Sequence, residues 1–198
     1  MMTMLETYAL TRTFGALTAV DELTITVAAG EVFGLVGPNG AGKTTAIKML
    51  TRLLPPTSGD ARIAGFSITR QAVAVRRTIG YVPQALSADG TLTGYENLLI
   101  FAKLYDIPRS ERGARVPAAL AFMGLADWAD KLMWTYSSGM IRRLEIAQSM
   151  LHRPRLLFLD EPTVGLDPTT RRAVWEHIAQ LRATCRTVTR TSPPPVST

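Results

Sequence analysis

The residues best suited to chemistry form a glycine-rich loop between a predicted strand and a predicted helix. Residues 37–45 match the pattern G-x-x-x-x-G-K-[ST], the P-loop or Walker A pattern. Residues 31–36 are an apolar run typical of a buried parallel strand, and residues 46–50 have helix-forming composition. This strand–loop–helix context favours a phosphate site over a glycine-rich turn that contains a lysine by chance.

Each part of the loop has a predicted role in phosphate binding. Glycines lack Cβ, so backbone N–H groups can approach an anion at the start of the following helix. Lys43 is expected at the β- and γ-phosphates of a nucleotide, and the Thr44 hydroxyl is expected to ligate Mg²⁺. The predicted nucleotide-binding residues here are Gly37, Pro38, Asn39, Gly40, Ala41, Gly42, Lys43, Thr44 and Thr45.

A second apolar run, residues 155–159, ends in two acids and has the Walker B form. Asp160 is expected to face the Mg²⁺. Glu161 is then available to orient and deprotonate a water molecule, as a general base does. An ordinary strand end is the alternative. The P-loop more than a hundred residues upstream favours the catalytic interpretation.

Three further positions have two interpretations each. Gln84 follows a predicted strand at 79–82, either as a ligand of metal or water or as a polar strand end. Phe14 is either a core aromatic or a stacking platform for a base. The hydroxyls and glycine at residues 137–139 precede a helical run at 141–151, where they either bind an anion or cap the helix.

Composition limits the class of protein. The chain has 198 residues, of which 46% are hydrophobic, enough for one domain or one domain with an inserted lobe. The net charge is +6, but basic residues cluster only in pairs such as Arg142-Arg143. This pattern predicts scattered, solvated positive charge together with an anionic ligand, and it does not favour a nucleic-acid-binding face. Cys185 is the only cysteine, so no disulfide forms within one chain and a reducing compartment is expected. We predict no signal peptide in residues 1–10 and no membrane span.

The order of predicted elements indicates an α/β fold. We predict a mixed, mainly parallel central sheet, an N-terminal antiparallel β subdomain with strands at 5–11 and 22–27, and an inserted helical lobe. Helices are expected at 93–105, at 110–123 with Ser110 as N-cap and Pro117 as a kink, and at 170–182. A last strand is expected at 187–189. The predicted division is a core of residues 1–84 and 151–191, a helical subdomain of 85–150, and a disordered tail of 192–198.

Taken in order, these motifs resemble the ATP-binding subunit of an ABC transporter over residues 5 to about 185. Residues 92–98 (Leu-Thr-Gly-Tyr-Glu-Asn-Leu) and 136–147 (Tyr-Ser-Ser-Gly-Met-Ile-Arg-Arg-Leu-Glu-Ile-Ala) are most similar to the bacterial drug-exporter branch, the daunorubicin-resistance type. The resemblance implies a P-loop NTPase fold with ATP and Mg²⁺ bound.

The resemblance also implies roles for the ambiguous residues. Phe14 matches the aromatic residue that stacks on adenine. Gln84 matches the glutamine that links Mg²⁺ and water to the transmembrane partner. Ser137 and Gly139 match the signature motif, which binds the γ-phosphate held by a second subunit, and Asp167 matches the loop that crosses the same interface. Glu161 and Gln84 are thus the implied catalytic residues, and the implied metal ligands are Thr44, Gln84 and Asp160.

The partners implied by the resemblance are transmembrane permease subunits and a second copy of this or a similar ATP-binding subunit. ATP binding and hydrolysis would close and reopen the dimer and drive export of a small molecule bound by the permease. The chain is expected in the cytoplasm, on the inner face of the membrane. Candidate docking residues are Leu86, Leu92 and Trp134.

Two departures from the family pattern affect the expected turnover. Ser138 stands where the signature motif usually has glycine. The switch histidine is expected near residues 189–192, which read Thr-Arg-Thr-Ser, and no histidine follows His177. We therefore expect a truncation or frame change near residue 187 or 188, with hydrolysis impaired. The alternatives are a regulatory subunit that only binds nucleotide and a soluble ABC ATPase that acts on nucleic acid or ribosomes.

Overall fold

The computed structural model describes residues 2–181 and 187–190. Nine strands and six α-helices are described within these residues, together with two short 3₁₀ helices at Ala126–Trp128 and Met133–Thr135. The strands are β1 (Thr3–Phe14), β2 (Leu17–Leu23), β3 (Thr26–Ala28), β4 (Val32–Gly34), β5 (Ser58–Ile63), β6 (Phe66–Ser67), β7 (Ile79–Val82), β8 (Leu156–Leu159) and β9 (Thr187–Arg190). The helices are α1 (Lys43–Leu50), α2 (Ala72–Thr78), α3 (Gly94–Leu104), α4 (Arg109–Phe122), α5 (Ser138–Met150) and α6 (Pro168–Leu181). Cys185 and the predicted tail at 192–198 lie outside the described residues.

The N-terminal sheet is antiparallel and is built around the long strand β1. Its order is β2-β1-β5-β6, and β3 pairs with another part of β1. The prediction of one strand over residues 22–27 is wrong, because the chain changes partner segment between β2 and β3. There the Thr7 hydroxyl donates to the Leu23 carbonyl at 2.8 Å and accepts from the Ile25 N–H at 2.8 Å. The Thr7 N–H also donates to the Ile25 carbonyl at 2.9 Å, so side-chain and backbone hydrogen bonds together join β1 to the segment where the two strands separate.

The central sheet has the order β4-β9-β8-β7, and its described strands are all parallel. The register aligns Val82 with Leu159, Leu159 with Arg190, and Arg190 with Gly34. The carboxyl ends of the strands therefore meet at one edge, where parallel α/β sheets bind ligands. The P-loop, Gln84 and the two acids after β8 all begin at this edge. The predicted fold class is confirmed.

The residues between β7 and β8 are mainly helical and include α3, α4 and α5. A capping box starts α3, because Thr93 Oγ1 accepts from the Glu96 N–H and the Glu96 carboxylate accepts from the Thr93 N–H. Helix α4 begins at Arg109 after Pro108, so the prediction that Ser110 is the N-cap is wrong. Proline fixes a φ suited to a helix entrance, and Ser110 lies inside the first turn. The helix continues through Pro117.

Two hydrophobic clusters flank the central sheet and share β8. Leu156 and Phe158 pack in the cluster with the antiparallel sheet, whereas Leu157 and Leu159 pack in the cluster with the helices. All four side chains are fully buried. This pattern follows from the alternation of side chains along a strand that is covered on both faces. The boundaries 1–84, 85–150 and 151–191 stay a prediction.

Candidate functional site

A cleft of about 770 Å³ opens at the carboxyl edge of the central sheet. It brings together side chains from β1, the P-loop, the end of β7 and the end of β8. Its lining residues are Phe14, Leu17, Ala19, Asn39, Gly40, Ala41, Gly42, Lys43, Thr44, Thr45, Gln84, Glu161 and Val164. The structure thus places most of the predicted site residues on one cavity.

The loop before α1 depends on glycine for its shape. Gly40 has φ +85° and Gly42 has φ +78°, in the left-handed region that other residues rarely adopt. A Cβ on Gly42 would lie 2.1 Å from the Ala19 carbonyl oxygen. Lys43 Nζ donates to the carbonyls of Gly37 at 2.7 Å and Pro38 at 2.9 Å, which holds the ammonium against the loop. Gly37 and Pro38 therefore hold Lys43 through their carbonyls but are not among the residues that line the cleft, and their contact with nucleotide stays a prediction.

The predicted metal ligands Thr44 and Asp160 lie in contact although 116 residues separate them. Thr44 Oγ1 donates to Asp160 Oδ1 at 3.2 Å, and Asp160 is 1% exposed. A hydroxyl beside a buried carboxylate fits Mg²⁺, which takes one or two protein oxygens and completes its shell with water and phosphates. Among the described residues there is no group of three or more His, Cys, Asp or Glu that would hold a metal without phosphate.

Gln84 and Glu161 also meet, from the ends of neighbouring strands. Gln84 Nε2 donates to Glu161 Oε2 at 3.1 Å. Glu161 has φ +48°, so the chain turns sharply after β8 and directs Asp160 and Glu161 differently. The sequence left Gln84 open between a ligand and a strand end, and its position on the cleft is compatible with the ligand role.

The pKa of Tyr81, on β7, is affected by Asp160. Burial, followed by the charge of Asp160, raises the pKa of Tyr81 to about 12. Both effects disfavour the ionised phenol, which would be poorly solvated and would lie near a carboxylate.

Phe14 is an exposed aromatic at the cleft mouth and not a core residue. Its side chain is 45% exposed, and the Arg12 guanidinium carbon lies 4.6 Å from the ring centroid. Together with Leu17, which is 65% exposed, it forms an apolar wall beside the P-loop. An exposed ring of this kind can stack on a flat heterocycle.

A sequence profile of the family described as ABC transporter matches residues 20–164. The chain belongs to this family. Members are ATPases, and the match extends from β2, across the P-loop, to the residues after Walker B. None of the helices described between residues 2 and 181 is long and apolar enough to cross a membrane.

Individual ABC relatives agree with the predicted branch. The chain is 45% identical over 177 residues to the daunorubicin/doxorubicin resistance ATP-binding protein DrrA of Streptomyces peucetius, covering 89% of this chain and 54% of that protein. It is 39% identical over 189 residues to the linearmycin resistance ATP-binding protein LnrL of Bacillus subtilis, covering 96% and 61%. The chain thus spans between about half and three-fifths of these relatives.

Solved structures of ABC proteins have the same fold. An ATP-binding subunit of an ABC transporter superposes with a TM-score of 0.82 at 30% identity, covering 96% of this chain and 79% of the other. CbiO1 of Clostridium perfringens, described as part of the transporter complex cbiONQ, gives 0.87 at 25% identity, with 97% and 79% covered.

The ABC signature segment lies outside the cleft lining. Ser137 is the N-cap of α5, and its hydroxyl accepts from the Met140 N–H at 3.3 Å. A Cβ on Gly139 would lie 2.0 Å from Thr170 Cγ2, so glycine is needed for the close packing of α5 against α6. Within one chain, helix capping explains the hydroxyl of Ser137, and close packing explains the glycine at Gly139. Contact of these two residues with the phosphate of a second subunit stays a prediction.

Two charged residues of α5 beside the site were not predicted. Arg142 is 2% exposed and Glu145 is 3% exposed. The prediction that the basic pairs are solvated is wrong for Arg142, whose guanidinium reaches the backbone at Pro83 and Gln84. Opposite charges three residues apart on a helix also occur on exposed faces, so the sequence signal did not reveal their burial.

Proposed function

We propose that this chain binds ATP with Mg²⁺ and hydrolyses it to power export of a small molecule through partner membrane subunits. The observation that carries the proposal is the contact between Thr44 Oγ1 and Asp160 Oδ1, which joins the P-loop helix to the strand that ends in acids. A phosphate cradle beside a hydroxyl–carboxylate pair is an arrangement suited to a phosphate–metal complex.

Binding would use the P-loop and the aromatic wall. Backbone N–H groups of the loop and the start of α1 would surround the phosphates, with Lys43 supplying positive charge. Phe14 would stack on the adenine. Thr44 and Asp160 would hold Mg²⁺, which offsets phosphate charge when it is bound.

Hydrolysis would depend on the pair at the other side of the cleft. Glu161 would accept a proton from the attacking water, and Gln84, donating to Glu161 Oε2, would fix the direction of the carboxylate. Gln84 would also contact the metal, as proposed from the family resemblance. The signature residues Ser137 and Gly139 would complete the site of a second copy, in a head-to-tail dimer.

The experiment is single-turnover cleavage of ATP with Mg²⁺, comparing the chain with its Glu161→Gln variant. We expect the variant to bind ATP and to cleave it at least about 100-fold more slowly, because general-base catalysis contributes about 10²–10⁴-fold. Glu176→Gln, a change of an exposed acid on α6, is the matched control.

A second candidate is a nucleotide-binding subunit with impaired hydrolysis. The observation that favours it is the sequence at 189–192, which lacks the family's switch histidine. In the register of β9, Arg190 is aligned with Leu159, immediately before the Walker B acids. A missing donor at this point would reduce stabilisation of the transition state. Equal, near-zero cleavage rates in the chain and in Glu161→Gln, with ATP bound to both, would favour this candidate.

Partner docking is proposed on the helical region. Trp134 is 72% exposed and Leu86 is 49% exposed, whereas Leu92 is half-buried. Large exposed apolar side chains are typical of interaction surfaces. Co-purification with a multispan membrane protein, weakened by Trp134→Asp and unchanged by a substitution at the exposed Glu176, would support docking through this surface.

A further inference from the structure

A buried ion pair in α5 lies under the segment that carries Gln84. Arg142 Nη1 is 3.0 Å from Glu145 Oε2, and both side chains are almost completely buried. Burying two charges costs desolvation energy, and an apolar pair of similar volume often stabilises a protein as well or better. The pair therefore calls for an explanation beyond stability, and its other contacts supply one.

Both members of the pair bind the segment of residues 83–87. Arg142 Nη1 donates to the Pro83 carbonyl at 2.6 Å, and Nη2 donates to the Gln84 carbonyl at 2.7 Å. Glu145 Oε1 accepts from the Ser87 N–H and, at 3.1 Å, from the Ser87 hydroxyl. The ion pair thus fixes the backbone on both sides of Gln84.

The same helix carries the signature residues at its beginning. Ser137 caps α5, and Arg142 lies one helical turn beyond Ser138, the first residue of the helix. A rotation or shift of this helix end would move the guanidinium and, with it, the carbonyls of Pro83 and Gln84. The Gln84 side chain in turn donates to Glu161. Helix α5, the hydrogen bond from Arg142 to the Gln84 carbonyl, and the hydrogen bond from the Gln84 side chain therefore join the start of α5 to the acid after β8.

We propose that Arg142 and Glu145 are positioning residues that transmit the position of the start of α5 to Gln84 and hence to Glu161. The proposal rests on the proposed function, because it assigns the pair to control of that same reaction. A guanidinium is suited to this task, since its planar fork donates to two carbonyls and a carboxylate together, which an ammonium cannot do with the same geometry.

The first test measures the hydrogen exchange of the amides of residues 84–88 in the full chain. In Arg142→Lys we expect exchange on the order of tenfold faster, because a charged hydrogen bond to each carbonyl is lost or weakened. The matched control is Arg143→Lys, the neighbouring arginine, which donates instead to the Met123 carbonyl at 2.8 Å. If Arg142→Lys does not fold, Glu145→Gln replaces it, since glutamine keeps an acceptor for Ser87.

The second test measures the rate of ATP cleavage. At saturating ATP, Arg142→Lys is expected to slow cleavage by roughly 10- to 100-fold, as small misplacements of catalytic groups do, with an ATP Kd within about twofold of the unchanged chain. In a Gln84→Ala background the same substitution should cause no further slowing, because the group that it positions is absent. A residue that only stabilises the fold would slow both backgrounds by the same factor.

The outcomes separate this proposal from the proposed function. Two results together support the positioning role. Amides of residues 84–88 exchange faster in Arg142→Lys but not in Arg143→Lys, and Arg142→Lys does not slow ATP cleavage further in the Gln84→Ala background. Unchanged exchange, or equal slowing in both backgrounds, overturns it. If the chain binds ATP without cleaving it, hydrolysis is rejected, and the exchange measurement with ATP bound still decides whether Arg142 positions residues 84–88.

Discussion

Gln84 and Glu161 are 77 residues apart in the chain, and the amide nitrogen of one lies 3.1 Å from a carboxylate oxygen of the other. Each follows a strand of the parallel sheet, β7 or β8, whose last residues are paired in register. The contact therefore depends on strand pairing and not on local sequence. A carboxylate that accepts this hydrogen bond loses rotational freedom, which favours one direction for proton transfer.

Replacing Gln84 by alanine should impair turnover more than binding. We expect cleavage at saturating ATP to fall by about 10- to 100-fold, because Glu161 loses the donor that orients it. The ATP Kd should change by less than about threefold, since the P-loop contacts are untouched. Single-turnover rates and equilibrium binding measure the two effects. Gln180→Ala, at an exposed position of α6, is the control, and an equal loss in both variants would contradict the prediction.

Replacing Lys43 by alanine should weaken nucleotide binding itself. The ammonium is held by the carbonyls of Gly37 and Pro38, so its charge is already placed at the loop. Hydrogen bonds to charged groups contribute about 1.5–3 kcal/mol, which corresponds to roughly a 10- to 150-fold higher Kd. Titration calorimetry with ATP and Mg²⁺ measures the change. Lys48→Ala, on an exposed position of the same helix, should leave the Kd unaffected; a similar loss there would point to general charge attraction.

Gly139→Ala should destabilise the fold through one contact. The added Cβ would lie 2.0 Å from Thr170 Cγ2, and overpacking of this kind costs about 1–3 kcal/mol. Thr170→Ser removes that methyl group, so the double variant should recover much of the lost unfolding free energy in urea titrations. Additive losses in the double variant would show that the clash is not the cause.

His152 should make the protein less stable as the pH falls below about 6.5. Its Nε2 lies 2.8 Å from the Ile79 carbonyl and its ring stacks on Tyr105 at 3.8 Å. Burial lowers the pKa of His152 below the ordinary value of 6.5. As the pH falls below about 6.5, the unfolded chain therefore takes up a proton before the folded chain does, and the free energy of unfolding decreases.

The variant that tests this pH dependence is His152→Gln, which keeps a donor for the Ile79 carbonyl and has no group that titrates in this range. The difference in unfolding free energy between pH 7 and pH 5.5 should be smaller in the variant than in the unchanged chain. His177→Gln, on α6, serves as the control. Parallel pH curves for the chain and His152→Gln would reject the assignment.

Local patterns were sufficient for much of the site. The P-loop and the acids after β8 were predicted because glycine spacing and an apolar run ending in Asp160 and Glu161 are signals within a few residues. The residue types around Phe14 left it open between the core and a stacking platform, and only the family resemblance indicated the position at the cleft that the structure shows. The start of α4 was misplaced because Ser110 is a common cap, whereas Pro108 already directs the chain into the helix.

The burial of Arg142 and Glu145 was not predictable from one sequence. Their spacing on α5 fits an exposed ion pair, whereas in the fold both are buried and contact residues 83–87. The contact of Gly139 with Thr170 was hidden for the same reason. Such features arise where two elements distant in the chain come into contact, and neither element alone indicates it.

The strand β8 has side chains in both hydrophobic clusters, and this arrangement couples the unfolding of one cluster to that of the other. Neither cluster can separate from the central sheet without exposing alternate residues of the same strand. We therefore expect the amides of Leu157 and Phe158 to be among the slowest to exchange with solvent, and the two clusters to melt in one calorimetric transition. The acids Asp160 and Glu161 are thus attached directly to the part of the fold that we expect to open last.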